Sequence, residues 1–321
     1  METQFLKKYK PLRFNEFIID NKYIQLLKLL IAADNLNILF IGDNSSGKSS
    51  LLNATILEYY NTNKLPLDNI LIINNLREQG IQYYRNEVKT FCQTPSIIKN
   101  KKKIIILDDI DLINKQSQQV FRNCIDNYSH NVNFLASCNN IQKVIDNLQS
   151  RCEIIKINNL TNNQLYIILN KICINEQINI NEKYKHQLIK LCNGNIRLII
   201  NFLEKIKLLN YDNEYNDEDD ILKICTNISY NEFDKYTNLW FKDKNIKLSI
   251  KILHVIYDKG YSVIDILDAY YNYIKHTNII NEDIKYKVIK IICEYISYFY
   301  TVHENKIELT FFTNKLIQKI K

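Results

Sequence analysis

Residues 38–49 read Ile38-Leu39-Phe40-Ile41-Gly42-Asp43-Asn44-Ser45-Ser46-Gly47-Lys48-Ser49, and this stretch decides the fold. Four apolar residues run into a loop bounded by two glycines that closes on a lysine and a hydroxyl. Glycine, four residues, glycine, lysine and serine is the spacing of a loop whose backbone amides wrap phosphates. Gly42, Asp43, Asn44, Ser45, Ser46, Gly47, Lys48 and Ser49 then form the ATP-binding loop, in which Lys48 reaches the β- and γ-phosphates and Ser49 ligates Mg²⁺. The flanks agree with this reading. Ile38–Ile41 suits a buried parallel strand, and Leu51, Leu52, Ala54, Ile56 and Leu57 follow at helical spacing.

Moving outward, Ile104-Ile105-Ile106-Leu107 ends in Asp108-Asp109-Ile110-Asp111. A strand apolar on both faces delivers these acids to the carboxyl edge of a parallel sheet, where open α/β folds bind ligands. Further strands are expected at 70–73, 132–138 and 153–157, and helices at 21–33, 50–60, 81–91 and 116–128. The alternation through residue 157 predicts a parallel sheet covered by helices on both faces. Beyond Thr161 the pattern turns helical, at 161–176, 181–192 and 195–208, which predicts a small helical module over 158–210. Residues 211–220 carry six acids in the nine positions 212–220 and read as a solvated linker. Residues 221–321 read as a third, all-α domain, with Trp240, Leu248, Ile252 and Val255 in one segment and Val263, Ile266, Leu267 and Tyr270 in the next.

Composition narrows the class. At 321 residues the chain is long enough for two or three modules, each with its own core. No apolar stretch approaches the roughly 18–20 residues of a membrane span, and the start lacks a signal-peptide core, so a soluble intracellular chain without membrane partners is expected. The eight cysteines stand at least 14 residues apart, which excludes C-x-x-C metal spacing and predicts reduced, mostly buried thiols. The five histidines have no metal spacing either. Heavy use of Asn, Ile, Lys and Tyr matches the coding bias of an A/T-rich genome, so the tyrosines of 270–300 are read as packing residues. The net charge of +7 is unevenly spread: residues 1–157 hold 20 Lys/Arg against 15 Asp/Glu, 158–208 hold 7 against 3, and 209–321 hold 15 against 17. The basic excess accompanies the phosphate loop, as a polyanion partner would require.

Five stretches together resemble one family in the right order: the phosphate loop, Leu107–Asp111, Asn139, Ser150-Arg151-Cys152, and Gly194-Asn195-Ile196-Arg197. They resemble the AAA+ ATPases, and within them the small subunits of replication factor C, the sliding-clamp loader; an A/T-rich viral or protist source is implied by the composition. The lead-in Lys8-Tyr9-Lys10-Pro11 is similar to the family's N-terminal box, and 74–81 to a further signature. Four of the five glycines (42, 47, 80, 194) fall on family motif positions. The resemblance covers 5–205 and implies an α/β parallel-sheet AAA+ domain over 1–157, a helical lid over 158–210 and an all-α collar for oligomerisation over 221–321.

By this resemblance Tyr9 and Pro11 join the ATP-binding residues, Ser49 and Asp108 hold Mg²⁺, and Asp109 orients the attacking water. Asn139 senses the γ-phosphate, Arg197 couples the lid to nucleotide state, and Arg151 acts in trans as an arginine finger in the neighbouring subunit's site. The implied cofactors are ATP and Mg²⁺. The implied partners are other clamp-loader subunits in a hetero-oligomer, a pentamer, with a ring-shaped sliding clamp and primer-template DNA gripped without regard to sequence. The implied place is the site of DNA replication, in the nucleus or a cytoplasmic viral factory. Helix 81–92 would meet DNA phosphates and the clamp, with Tyr84, Phe91 and Cys92 as either clamp contacts or core. The family carries glutamate where this chain has Asp109, prolines and a glycine where it has Asp43–Ser46, and Ser-Asp-Glu-Arg where it has Leu76-Arg77-Glu78-Gln79. Two alternatives stay open: a structural subunit that binds nucleotide without hydrolysing it, and a ring-forming DNA motor or initiator of the same superfamily.

Overall fold

The computed structural model describes residues 4–73, 81–192, 194–211, 228, 230–299 and 302–320. The chain divides into two compact units, Met1–Lys207 and Leu208–Lys321. The signature at 74–80 and the acidic stretch 212–220 lie outside the described residues.

In the first unit, α1 (Phe5–Lys8) and α2 (Asn21–Ala32) precede the strand–helix alternation. That alternation runs β1 (Ile38–Ile41), α3 (Lys48–Tyr60), β2 (Ile70–Ile73), α4 (Ile81–Gln93), β3 (Lys103–Leu107), α5 (Lys115–Tyr128), β4 (Val132–Cys138), α6 (Asp146–Gln149) and β5 (Glu153–Lys156). The strands form one sheet in the order β2-β3-β4-β1-β5, and every pairing is parallel. Strand β1 therefore lies between β4 and β5, and the β4–β5 connection crosses over it. The carboxyl ends of β1, β3 and β4 open side by side, which is where the topology leaves a crevice for a ligand.

Alternation along each strand builds two cores. Ile38 and Phe40 face a cluster with Leu27, Leu51, Ile56 and Tyr59 from α2 and α3. Leu39, with Ile105, Leu107 and Phe134, faces Val88, Phe121 and Ile125 from α4 and α5. Period-2 side-chain direction in a strand covered on both faces explains why these segments read as unbroken apolar runs. Three helices close the unit: α7 (Asn162–Glu176), α8 (Glu182–Cys192) and α9 (Ile196–Tyr211). Helix α7 starts at a capping box in which Thr161 and Gln164 exchange hydrogen bonds.

The second unit contains α10 (Tyr230–Phe241), α11 (Ile246–Asp258), α12 (Val263–His276), α13 (Glu282–Tyr298) and α14 (Ile307–Lys319). Its core is aromatic: Phe233, Tyr236, Trp240, Tyr270, Tyr273 and Phe312 are buried together. The buried hydroxyls are paired, as such residues require. Trp240 donates its indole N–H to the Tyr270 oxygen at 2.9 Å, and Tyr236 meets Thr313 at 3.1 Å. The expected segment from Trp240 to Val255 is two helices, not one. Trp240 and Leu248 do not share a segment, because α10 ends at Phe241 and Lys244 takes a left-handed φ of 50°. Asn245 then caps a new helix by accepting from the Leu248 amide. The helical phase is reset by that turn. Leu248 and Val255 are each 48% exposed, whereas Ser249, Leu253 and Ile256 face inward.

Candidate nucleotide-binding site

The loop after β1 takes its shape from close contact. A Cβ placed on Gly42 would lie 2.5 Å from the Ile157 carbonyl oxygen and 2.8 Å from Ser46 Oγ, so only glycine fits. Ser45 adopts φ 63° and Gly47 φ 97°, and Gly47 caps α3. Ser45 thus holds a left-handed backbone that costs about 1 kcal/mol or more for a residue with a Cβ. The first-turn amides of α3 have no intrahelical acceptor, and with the helix dipole they make an anion site at the loop.

Lys48, the first residue of α3, is 6% exposed and donates to the carbonyls of Gly42 (2.9 Å) and Asp43 (2.8 Å) and to Asn139 Oδ1 (2.7 Å). Burial lowers the pKa of its ammonium, against the opposing pull of Asp109 and Asp108. Ser49 Oγ lies 3.2 Å from both oxygens of Asp108. A hydroxyl paired with one carboxylate is the donor set that Mg²⁺ uses when it keeps several waters and substrate phosphates, so these residues fit that ion. Asp109 follows with φ 52°. Burial, then the charges of Asp108 and Asp111, raises its carboxyl above the ordinary value.

Other residues, not assigned from the sequence, hold this group in place. Asp111, 9% exposed, accepts from the amides of Asn139 (3.4 Å) and Asn140 (3.2 Å), while its Oδ1 has no hydrogen-bond partner among the described residues. Ser137, fully buried on β4, donates to Asp108 Oδ1 at 2.5 Å and accepts from the Asp109 amide at 3.1 Å. Gln118, also fully buried, donates to the carbonyls of Ile110, Ile113 and Lys143 and accepts from the Ile145 amide. The one sequence cue for Ser137 and Gln118 was a polar residue on an otherwise apolar strand or helix face.

The remaining sequence-predicted residues sit apart from Lys48. Arg151, after α6, bonds within its own chain: Nε to Asp126 at 2.5 Å and Nη1 to the Asn147 carbonyl at 2.7 Å, with 29% of its side chain exposed. Asp126 also pairs with Arg122 at 3.2 Å. Arg197 is exposed on the first turn of α9, its amide capped by Asn195 at 3.0 Å. That turn approaches the phosphate loop through Asn159, which donates to Asp43 at 2.8 Å and lies 3.4 Å from a Cβ placed on Gly194.

Tyr9 donates its hydroxyl to Glu176 at 2.5 Å, beside Lys8 (2.6 Å) and Lys207 (2.7 Å) on the same carboxylate. The N-terminal box is therefore fastened to α7 and α9, with Pro11 half-buried just beyond. Burial, followed by the hydrogen bond to Glu176, pushes the Tyr9 hydroxyl up to about 12. On α4, Cys92 is fully buried in the core, and Phe91, partly buried, packs against the edge of the same core. The Tyr84 side chain lies outside the described residues.

Residues 38–159 match the ATPase family associated with various cellular activities (AAA). Residues 38–159 are thus an AAA domain. Along nearly its whole length this chain is similar to a putative replication factor C small subunit of Acanthamoeba polyphaga mimivirus, 25% identical over 318 residues, with 99% of this chain and 97% of that one covered. Replication factor C subunit 4 of Schizosaccharomyces pombe is 27% identical over 90% of this chain and 83% of its own. The replication factor C small subunit of Methanosarcina acetivorans is 27% identical over 84% and 80%. The chain thus resembles replication factor C subunits from a virus, a yeast and an archaeon. Among solved structures, the Thermotoga maritima RuvB Holliday junction branch migration motor superposes with a TM-score of 0.56 at 15% identity, over 89% of this chain and 99% of that one. At that identity the likeness is one of fold.

Proposed function

We propose that this chain is a subunit of an ATP-dependent clamp loader that acts in DNA replication, opening a ring-shaped sliding clamp and placing it on primer-template DNA. The observation that carries the reading is the junction of Lys48, the Gly42 and Asp43 carbonyls and Asn139 at the carboxyl edge of the sheet, with Ser49 and Asp108 beside it. Phosphoryl transfer needs charge neutralisation and an oriented water more than it needs covalent chemistry.

In this reading Lys48 exchanges its carbonyl partners for the β- and γ-phosphates of ATP, and Asn139 is released to hydrogen-bond the γ-phosphate. Ser49 and Asp108 hold Mg²⁺, which supplies charge neutralisation across the phosphates when bound. Asp109, its carboxyl raised and its backbone fixed by Ser137, orients the attacking water. Arg197, on the turn linked to the loop through Asn159, carries nucleotide state into the lid. Tyr9 and Pro11 close the base side of the site, held by Glu176.

Arg151 completes a neighbour's site rather than its own. In support, its hydrogen-bond partners are Asp126, Asn147 and Ser150, none of which belongs to the Lys48 group. The second unit serves as the collar of a five-membered hetero-oligomer. DNA contact is with the backbone and independent of sequence, as loading at any primer end requires.

The test is co-purification with candidate loader subunits and clamp, followed by ATPase assay with and without primed DNA. Stimulation by clamp and primed DNA together, with DNA binding that weakens steeply between 50 and 200 mM salt, is the expected result. Nucleotide binding without turnover would instead select a structural subunit, a role that the short side chain of Asp109 permits. Turnover as a homohexamer would select a DNA motor.

A further inference from the structure

Strand β4 is buried along its whole length, and its one hydroxyl, that of Ser137, is fully sealed from solvent. The β3–β4 register pairs Leu107 with Ala136, which sets Asp108, the next residue on one strand, against Ser137, the next on the other. A serine hydroxyl has one proton and two lone pairs. Here the proton goes to Asp108 Oδ1 at 2.5 Å, and a lone pair takes the Asp109 amide at 3.1 Å. One buried hydroxyl thereby fixes both the carboxylate that faces Ser49 and the left-handed turn that presents Asp109.

We propose that Ser137 is a positioning residue for the divalent cation: it holds Asp108 in the orientation that, with Ser49, binds Mg²⁺, and it sets cation affinity separately from nucleotide affinity. The inference rests on the nucleotide-binding reading of the loop. A carboxylate ligand free to turn about its side-chain bonds must be reordered each time the cation binds. Partners of ligating groups in other metal sites control affinity for this reason, and their loss typically costs 10–100-fold. Nucleotide affinity without cation depends on the loop amides and Lys48, whereas Ser137 hydrogen-bonds Asp108 and Asp109.

The experiment titrates Mg²⁺ into the full chain carrying a fluorescent ATP analogue, after the affinity for that analogue has been measured in EDTA. Ser137→Ala is expected to raise the apparent Mg²⁺ Kd about tenfold or more and to leave the EDTA affinity within about twofold of wild type. Ser137→Thr, which keeps both hydrogen bonds, is expected to restore the Mg²⁺ titration. A wild-type Mg²⁺ titration for Ser137→Ala overturns the proposal. So does an equal loss of EDTA affinity, which would mark Ser137 as structural only. If the wild-type chain binds no analogue in either condition, the nucleotide-binding reading itself falls and takes this inference with it.

Discussion

Replacing Glu176 by Gln should loosen the N-terminal box from the lid by an amount that can be worked from its surroundings. The carboxylate side chain is 2% exposed and accepts from Lys8, Tyr9 and Lys207. Burial alone would raise its carboxyl, but the hydrogen bonds from Lys207, Lys8 and Tyr9 outweigh burial and hold it at about 2, against an ordinary 4.5. At about 1.36 kcal/mol per pH unit the full gap would be worth about 3.4 kcal/mol. Lys8 leaves 49% of its side chain in water, so screening reduces this to about 2 kcal/mol. The stabilisation is complete above pH 4.5 and disappears as the pH falls through 4.5 towards 2.

Urea unfolding followed by circular dichroism reads this difference, with the single tryptophan, Trp240, reporting the second unit. Glu176→Gln is expected to destabilise the first unit by about 2 kcal/mol at pH 7, with a gap to wild type that narrows steadily between pH 5 and pH 3. A variant within about 0.5 kcal/mol of wild type at pH 7, or a gap that does not narrow with acid, would show that the ionised Glu176 does not hold the N-terminal box.

Asp109→Asn removes a carboxylate whose ionisation burial, Asp108 and Asp111 disfavour more than Lys48 favours it, so the nucleotide-free chain should gain stability at neutral pH. That is a melting temperature higher by about 2–4 °C per kcal/mol, together with single-turnover hydrolysis slowed at least about tenfold; a lower melting temperature would contradict the assignment. Gly42→Ala drives a Cβ to 2.5 Å from the Ile157 carbonyl, so the loop must shift. Equilibrium binding of ATP is expected to weaken by about tenfold or more, at about 1–3 kcal/mol of overpacking cost, whereas wild-type affinity would show that the loop does not hold the phosphates.

The phosphate loop and the Asp108–Asp111 edge were legible because their chemistry depends on spacing within a few residues. The sheet was legible because doubly covered strands leave unbroken apolar runs such as Ile104–Leu107. What could not be read were groups placed by strand register or helix crossing. Ser137 meets Asp108 only because Leu107 pairs with Ala136, and Glu176 meets Tyr9 across 167 residues. Asp126 lies 25 residues before Arg151, on a different helix, so no local pattern announces their pairing. The Trp240–Val255 segment failed for another reason: periodicity carries phase only while the helix continues, and the turn at Lys244 breaks it.

In the proposed loader, catalysis is shared across an interface between Lys48 of one subunit and Arg151 of the next. It is tested most directly in the assembled complex with this chain as wild type or Arg151→Ala, and with every phosphate loop silenced except that of the subunit receiving the arginine. Arg151→Ala is expected to leave ATP binding to this chain's own loop unchanged and to slow turnover at the neighbouring site by on the order of 10³-fold. Undiminished turnover at that site, or loss of binding at this chain's own loop, would contradict it.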